Sequence, residues 1–288
     1  MEGTRSDDNR VNLKQLFLLF PSIVYVVLIF QLALALMLVT AFFRYQFPHI
    51  VDQFTLENFQ RFFSSSLYLG TLYVTFKIAA TTSLLSLLLG YPVAYALARS
   101  QSRLERAVLF VAVLISLFLG IIERIYAWVL LLQDTGIVNR LLATLGLGPV
   151  RLMYNEVGII IASTHFLLSY AIFTLMGSIQ SVSPSLEEAA LGLGASRVRM
   201  FMDVTLPLTL PGILSCVLLT FSLGMSAFVI PMLMGGGLVW MLSNMIYDRV
   251  VFTGNIPFAS AIALILLFVS IVSTQLVTML VTKKIKVG

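Results

Sequence analysis

Six stretches of this chain are each long and apolar enough to cross a lipid bilayer, and nothing else in the sequence restricts the fold as strongly. A span needs about 20 predominantly apolar residues. The stretches run from about Leu16 to Phe43, Tyr68 to Ala98, Ala107 to Leu132, Val157 to Ile179, Leu208 to Met234 and Phe258 to Val281. Hydrocarbon offers a backbone N–H or C=O no partner, so each stretch is expected to be helical and to close its hydrogen bonds within itself. With 59% hydrophobic and only 11% charged residues, against about 25% charged in soluble domains, the chain cannot cover a water-facing surface. The expected fold is an all-α membrane protein of six transmembrane helices. No repeat or low-complexity linker divides residues 1–288, so they are read as one domain.

Arg5, Arg10 and Lys14 precede the first stretch as they would precede a secretory signal. The apolar run is far longer than the roughly 7–15 residues of a signal core, and no A-x-A site closes it, so it is read as a retained helix. Lys and Arg set the orientation. With the N-terminus in the cytoplasm, the cytoplasmic segments hold Arg5, Arg10, Lys14, Arg99, Arg103, Arg106, Arg197, Arg199, Lys283, Lys284 and Lys286, and the outer segments hold Arg44, Arg61, Arg140, Arg151 and Arg249. Eleven against five places both termini inside. The outer segments, about 44–67, 133–156 and 235–257, are too short for a separate external domain.

Several chemistries are excluded or disfavoured. A single cysteine, Cys216, allows no intramolecular disulfide and no Cys-rich metal site, and His49 and His165 lie far apart. No metal site is expected. The net charge of +5 reflects topology in a membrane protein and does not argue for nucleic acid. Acidic residues are few and scattered, so no catalytic cluster is apparent and a membrane enzyme is disfavoured. The chain has no G-x-x-x-x-G-K-[ST] phosphate loop; Gly235-Gly-Gly237 lacks the following lysine.

The segment Ser183 to Gly212 is unlike a simple loop. Ser185 followed by Glu188 fits a capping box, with a short helix over Leu186–Leu191. Gly192 and Gly194 suit its end. Ser196 can cap a second helix to about Thr205, after which Pro207 and Pro211 turn the chain back towards the membrane. The expectation is two short helices joined by a glycine elbow, with Ala189, Ala190 and Ala195 letting a partner approach the backbone closely.

Glu188-Ala189-Ala190, Gly194 six residues after Glu188, and Leu206-Pro207 eighteen residues after it resemble the EAA loop of ABC importer permeases. Arg124-Ile-Tyr-Ala-Trp128, Gly235-Gly236, Asn244-Met-Ile-Tyr247 and Asn255-Ile-Pro257 are similar to the spermidine/putrescine permease branch, over most of the chain beyond about Leu56. The resemblance implies a single permease domain with an N-terminal helix 16–43, core helices about 68–281 and a cytoplasmic coupling loop 183–206. It implies that Glu187, Glu188, Ala189, Ala190, Gly194, Ala195 and Ser196 contact one of two cytoplasmic ATPase subunits. This chain would bind no cofactor, with ATP and Mg²⁺ on those ATPases. A second permease subunit, a paralogue in a heterodimer, and a periplasmic substrate-binding protein complete the implied partners, with membrane lipid around them. Permeases of this branch commonly carry an acidic residue near Ala227, which is absent here. The cargo expected from the resemblance is a polyamine or a related amine or amino-acid derivative.

An ionisable residue inside a span is by default a functional-site hypothesis. Lys77 and Glu123 each fall about nine residues from the outer end of their span, roughly 14 Å deep at about 1.5 Å per residue, so they could pair or line the pathway. Arg124 is adjacent, and the resemblance places Arg124 and Tyr126 near the translocation path. Trp128, Tyr170, Phe228 and Tyr247 could stack on a cationic amine, or could serve as packing and interface anchors. Gly90, Pro92 and Pro231 mark potential hinges. The alternative to an ABC importer is an ion-coupled secondary transporter, a class that often shows inverted repeats; none is visible here.

Overall fold

The computed structural model describes the backbone of residues 13–287 and, Ser22 and Ile23 apart, the side chains of residues 20–279. Arg5 and Arg10, and the side chains of Lys14, Lys283, Lys284 and Lys286, lie outside the described residues. In chain order the elements are α1 (Leu13–Thr40), a hairpin of β1 (Phe43–Gln46) and β2 (His49–Phe54), α2 (Glu57–Phe63), α3 (Ser66–Arg99), α4 (Arg103–Phe118), α5 (Ile121–Leu132), α6 (Ile137–Thr144), α7 (Glu156–Ser181), α8 (Pro184–Gly192), α9 (Arg197–Met200), a π-helical turn (Phe201–Thr205), α10 (Leu206–Met225), α11 (Val229–Met234), α12 (Leu242–Val251) and α13 (Ile256–Val287). Among the described residues, α3, α7, the continuous helix Arg197–Met225 and α13 are long and apolar enough to cross a membrane. A fifth span results if α4 and the helical stretch after it count as one.

The core is the trio α3, α7 and α10, which small and hydroxyl side chains bring together. On α3 the buried positions Thr71, Thr75, Ala79, Thr82, Ser83, Ser86, Gly90 and Ala94 recur every three or four residues, and on α10 Thr209, Gly212, Cys216, Thr220 and Gly224 do the same. Small residues at helical spacing let helix backbones approach closely where lipid supplies no hydrophobic drive for association. A Cβ added at Gly224 would sit 3.1 Å from the Ala79 Cα, and one at Gly90 would sit 3.3 Å from the Ala171 Cβ. Hydroxyl pairs tie the same faces, Ser83 Oγ with Thr220 Oγ1 at 2.7 Å and Tyr91 Oη with Thr209 Oγ1 at 2.8 Å. Most of the threonines also donate to the carbonyl four residues back, as Thr75, Thr82, Thr209 and Thr220 do. Cys216 is wholly buried in this interface and packs there as a small apolar residue.

Three expectations from the sequence are corrected. The chain is mostly helical but not all-α: residues 43–54 form an antiparallel hairpin with Tyr45 opposite Ile50 and Gln46 opposite His49. Its strands hold Tyr, Ile and Val, which suit a pleated surface, and Pro48 occupies the turn. The Tyr45 hydroxyl anchors it by donating to the Thr253 carbonyl at 2.8 Å. The third stretch is not one straight span. It breaks at Leu119–Gly120, where ψ values of 130° and 153° leave the helical region, and the flanking helical stretches Arg103–Phe118 and Ile121–Thr144 meet at 101°. The fifth stretch also breaks, at Ser226–Phe228, leaving α11 as a separate short helix. The outer segments contain structure of their own, with α6 in one and α12 in another.

Gly212 makes the tightest helix contact: a Cβ there would lie 2.1 Å from both Cβ and Oγ of Ser178, but 3.6 Å from its Cα. Gly212→Ala should therefore destabilise the protein by about 1–3 kcal/mol, as overpacking typically does, lowering its melting temperature in detergent. Adding Ser178→Gly removes both clashing atoms and should restore most of the loss. Equal melting temperatures for the wild type and Gly212→Ala would refute this packing.

Candidate functional site

The segment around α8 is built on one buried carboxylate. Glu187 is only 6% exposed. Its Oε2 accepts from Arg99 Nε at 2.9 Å, and its Oε1 accepts from Arg99 Nη2 at 3.2 Å and from Thr205 Oγ1 at 2.8 Å. Arg99 Nη2 also donates to the Val182 carbonyl at 2.8 Å. Arg99 is the last residue of α3, and Thr205 ends the π-turn leading into α10. One fork-to-carboxylate pair, strong because it is bidentate and charge-assisted, thus locks α8 to the ends of two core helices.

The local geometry differs from the expected capping box. Helix α8 starts at Pro184, a favoured first helical residue, with Ser183 at the N-cap making no side-chain cap bond. Ser183 Oγ and Ser185 Oγ pair with each other instead, at 2.7 Å, so Ser185 does not cap the helix. At the far end the expected glycine stop is present. Gly194 has φ +88°, its N–H donates to the Leu191 carbonyl, and the Ala195 N–H donates to the Ala190 carbonyl. These two bonds form a Schellman motif with Gly194 in the left-handed position. Ser196 Oγ accepts from the Arg199 N–H at 3.3 Å and caps the next helix, as expected. That helix is not a second short one. Residues Arg197–Met225 run as one helix through Pro207 and Pro211, because the wide turn, with the Leu206 N–H reaching the Phe201 carbonyl, passes Pro207 without needing its missing donor. Glu188, Ala189, Gly194 and Ser196 are exposed, and Ala190 and Ala195 half-buried. Leu186, Leu191, Leu193 (90% exposed) and Val198 surround them as an apolar surface.

The residues expected along the pathway fall into separate groups. Lys77 does not meet Glu123. Its Nζ pairs with Glu156 Oε2 at 2.5 Å, in the first turn of α7, where the helix dipole also favours a carboxylate. Glu123 is exposed and folds back over Gly120, where a Cβ would strike its carboxylate. Arg124 is 6% exposed and caps the α4 break: Nε and Nη2 donate to the Leu119 carbonyl at 3.1 and 2.8 Å, and Nη2 lies 3.4 Å from the Leu117 carbonyl. Its guanidinium lies 4.8 Å over the Phe166 ring, which in turn meets Tyr170 at 5.6 Å. Trp128 sits edge-on to His165 at 5.6 Å, and Tyr126 is exposed. Phe228 and Tyr247 meet at 5.0 Å.

Phe228 stands at the α10 break, where two hollows meet. One, of about 260 Å³, is lined by Ile121, Ser163, Phe166, Ala227 and Phe228. The other, of about 100 Å³, lies on the α12 side, with Phe228, Trp240, Tyr247 and Asp248 in its wall. The start of α12 donates to two carbonyls at the break, of which that of Phe228 also accepts from the Met232 N–H at 3.1 Å. Ser243 Oγ donates to the Ala227 carbonyl, Asn244 Nδ2 to that of Phe228 at 3.0 Å, and the Leu242 N–H reaches Thr75 Oγ1 at 3.0 Å. Pro231 is buried in α11 beside this break.

The sequence profile of the family described as "Binding-protein-dependent transport system inner membrane component" matches residues 90–286. The chain belongs to this family. Among individual relatives, this permease is 31% identical over 222 residues to the spermidine/putrescine transport system permease protein PotB of Haemophilus influenzae, covering 76% of this chain and 75% of that one. It is 32% identical to PotB of Escherichia coli, covering 75% and 78%. Its fold superposes on a permease chain of a bacterial alginate ABC transporter, solved in complex with an alginate pentasaccharide-bound periplasmic protein, with a TM-score of 0.78 at 19% identity over 97% of both chains. The chain is a multi-pass membrane permease subunit of an ABC importer, not an enzyme, and the ion-coupled alternative falls away.

The sequence did not point to Arg99, Thr205, Trp240 or Asp248. Arg99 entered it only as a topology charge, and the partner of a buried carboxylate 88 residues away leaves no local pattern. Removing one member of a buried pair strands the other, at about 3–5 kcal/mol. Glu187→Ala should therefore reduce the yield of folded permease sharply, whereas Glu188→Ala, at an exposed position, should leave it within about 0.5 kcal/mol of wild type. Detergent melting curves of the two variants decide this, and equal curves would contradict the buried junction.

Proposed function

We propose that this permease forms half of the pathway of an ATP-driven importer in a bacterial inner membrane, and that α8 is its point of contact with a cytoplasmic ATPase. The Arg99–Glu187–Thr205 junction carries this reading. A helix that presents Leu186, Glu188, Leu191 and Leu193 to a partner while bonded from beneath to α3 and α10 passes a push directly into the core. Two ATPases holding ATP and Mg²⁺, a second permease and a periplasmic binding protein complete the machine, and this chain binds no cofactor. A ligand-driven change needs differential contact with two states, and an ATPase that closes on ATP supplies it through α8.

Six spans result if the bent pair counts as one and the apolar segment Val24–Thr40 of α1 is added to the four long helices. The excess of Lys and Arg at the α8 end supports both termini in the cytoplasm. The PotB relatives, and the aromatic residues near the α10 break, support an amine cargo of the polyamine type.

Charge reversal at Glu188 should weaken ATPase copurification at least tenfold. Gly194→Val should do the same by a different route: no atom lies within 4 Å of its new Cβ, but a β-branched residue at φ +88° is strained. If both variants retain the ATPase, α8 is not the contact. Orientation is tested with single cysteines in a Cys216→Ser background. Leu193→Cys should react with a membrane-impermeant maleimide only in inside-out vesicles, and Leu147→Cys only in whole cells. The opposite pattern would invert the topology.

A further inference from the structure

The hollow on the α12 side has the chemistry of a cation site. Four aromatic side chains line it: Phe228, Trp240, Tyr247 and Phe252. Phe228 and Tyr247 are 5.0 Å apart and Tyr247 and Phe252 6.1 Å apart, ring centre to ring centre. The Trp240 Nε1–H is directed to the Gly237 carbonyl at 2.8 Å, which holds the indole in place. Aromatic faces attract cations through their quadrupole, more strongly where water is excluded. The space it offers, about 100 Å³, is below the roughly 300–1,000 Å³ of a whole small-molecule pocket and suits one ammonium group with its neighbouring methylenes.

One carboxylate shares this wall. Asp248 lies one helical turn beyond Asn244, the residue whose side chain binds the Phe228 carbonyl, so α12 fixes its position relative to the α10 break. No carboxylate stands at Ala227 on the other side of that break. Among the described residues no hydrogen bond reaches the Asp248 carboxylate. Its nearest charge is the guanidinium of Arg249, which pairs with it at 3.7 Å, beyond hydrogen-bond distance. The side chain is 27% exposed, and a carboxylate without a hydrogen-bond donor leaves room for a ligand that supplies one.

We propose that this hollow binds a primary ammonium group of the cargo, with Asp248 as its counter-charge and Trp240, Tyr247, Phe228 and Phe252 as its walls. The proposal rests on the reading of the cargo as an amine and assigns the charge recognition to a single residue. The ammonium donates to Asp248 while its methylene neighbours lie against the rings. A diol of the same length offers the carboxylate no charge, and a diacid is repelled by it.

Trp240 reports binding directly. In the assembled transporter with Trp128→Phe, Trp240 is this permease's remaining tryptophan, and the same complex with Trp240→Phe supplies the background from the other subunits. Putrescine, 1,4-butanediol and succinate are titrated in turn. Putrescine should change Trp240 emission saturably, and the other two should not. Asp248→Asn should raise the putrescine Kd at least tenfold, while Asp52→Asn, at an exposed hairpin position, leaves it unchanged. Melting temperature and ATPase copurification are measured alongside, so that a misfolded Asp248→Asn is recognised; Asp248→Glu, which keeps the charge, should then recover part of the affinity. A Kd within twofold of wild type for Asp248→Asn, or equal binding of succinate, overturns the proposal. ATP-driven uptake of labelled putrescine by proteoliposomes separates the two readings. If wild type and Asp248→Asn import it equally, the hollow is refuted and the amine cargo stands; if wild type imports none, the amine cargo is refuted and the hollow with it.

Discussion

A carbonyl oxygen released inside hydrocarbon has no water to turn to, and among the described residues two of the apolar stretches are interrupted. At the first, α4 ends and the chain turns through 101°; the guanidinium of Arg124 covers the Leu119 carbonyl and reaches that of Leu117. At the second, α10 ends at Met225, and Ser243 and Asn244 from the start of α12 cover the carbonyls of Ala227 and Phe228. Irregular backbone is tolerated at such depth only where other groups re-satisfy it. Both hollows described above have Phe228, at the second break, in their walls.

This recasts Arg124. A buried cation in a span invites a role in transport, yet three of its contacts go to the polypeptide itself, two to carbonyl oxygens at the end of a helix and one to the Phe166 ring. A cation at a helix C-terminus is favoured by the dipole as well as by hydrogen bonding. Lys77 is similar: its partner is a carboxylate in the first turn of α7, so the pair joins α3 to α7 near one end of the core.

Much of the architecture was legible in the sequence because lipid imposes a simple rule on length and polarity. The second, fourth and sixth apolar stretches became helices with bounds close to those expected, and the short helix expected over Leu186–Leu191 runs over Pro184–Gly192, without its serine cap but with Gly194 in the left-handed position after it. What could not be read was pairing at long range. Glu187 and Glu188 are neighbours with the same chemistry; which is buried depends on Arg99, which reaches it across 88 residues of sequence. The bend after Phe118 was equally hidden, since Leu119 and Gly120 continue an apolar run, and only a guanidinium arriving from the next turn makes the break tolerable. The hairpin was missed for a plainer reason: a segment of 12 residues with two aromatic ends reads as a connection when the expected spans absorb the residue where it starts.

The continuous helix Arg197–Met225 has a mechanical consequence. Its 29 residues span about 43 Å at about 1.5 Å per residue, from beside α8 to the break at Ser226. From Thr205, the point where it is held, the remaining 20 residues form an arm of about 30 Å, and a tilt of about 5° moves the end of that arm sideways by about 3 Å. The near end is held by Thr205 on the Glu187 carboxylate, and the far end is free of helical continuation, since α11 begins only after Phe228. A rotation too small to disturb the packing beside α8 therefore arrives at the aromatic ring of Phe228 as a displacement about as wide as a water molecule.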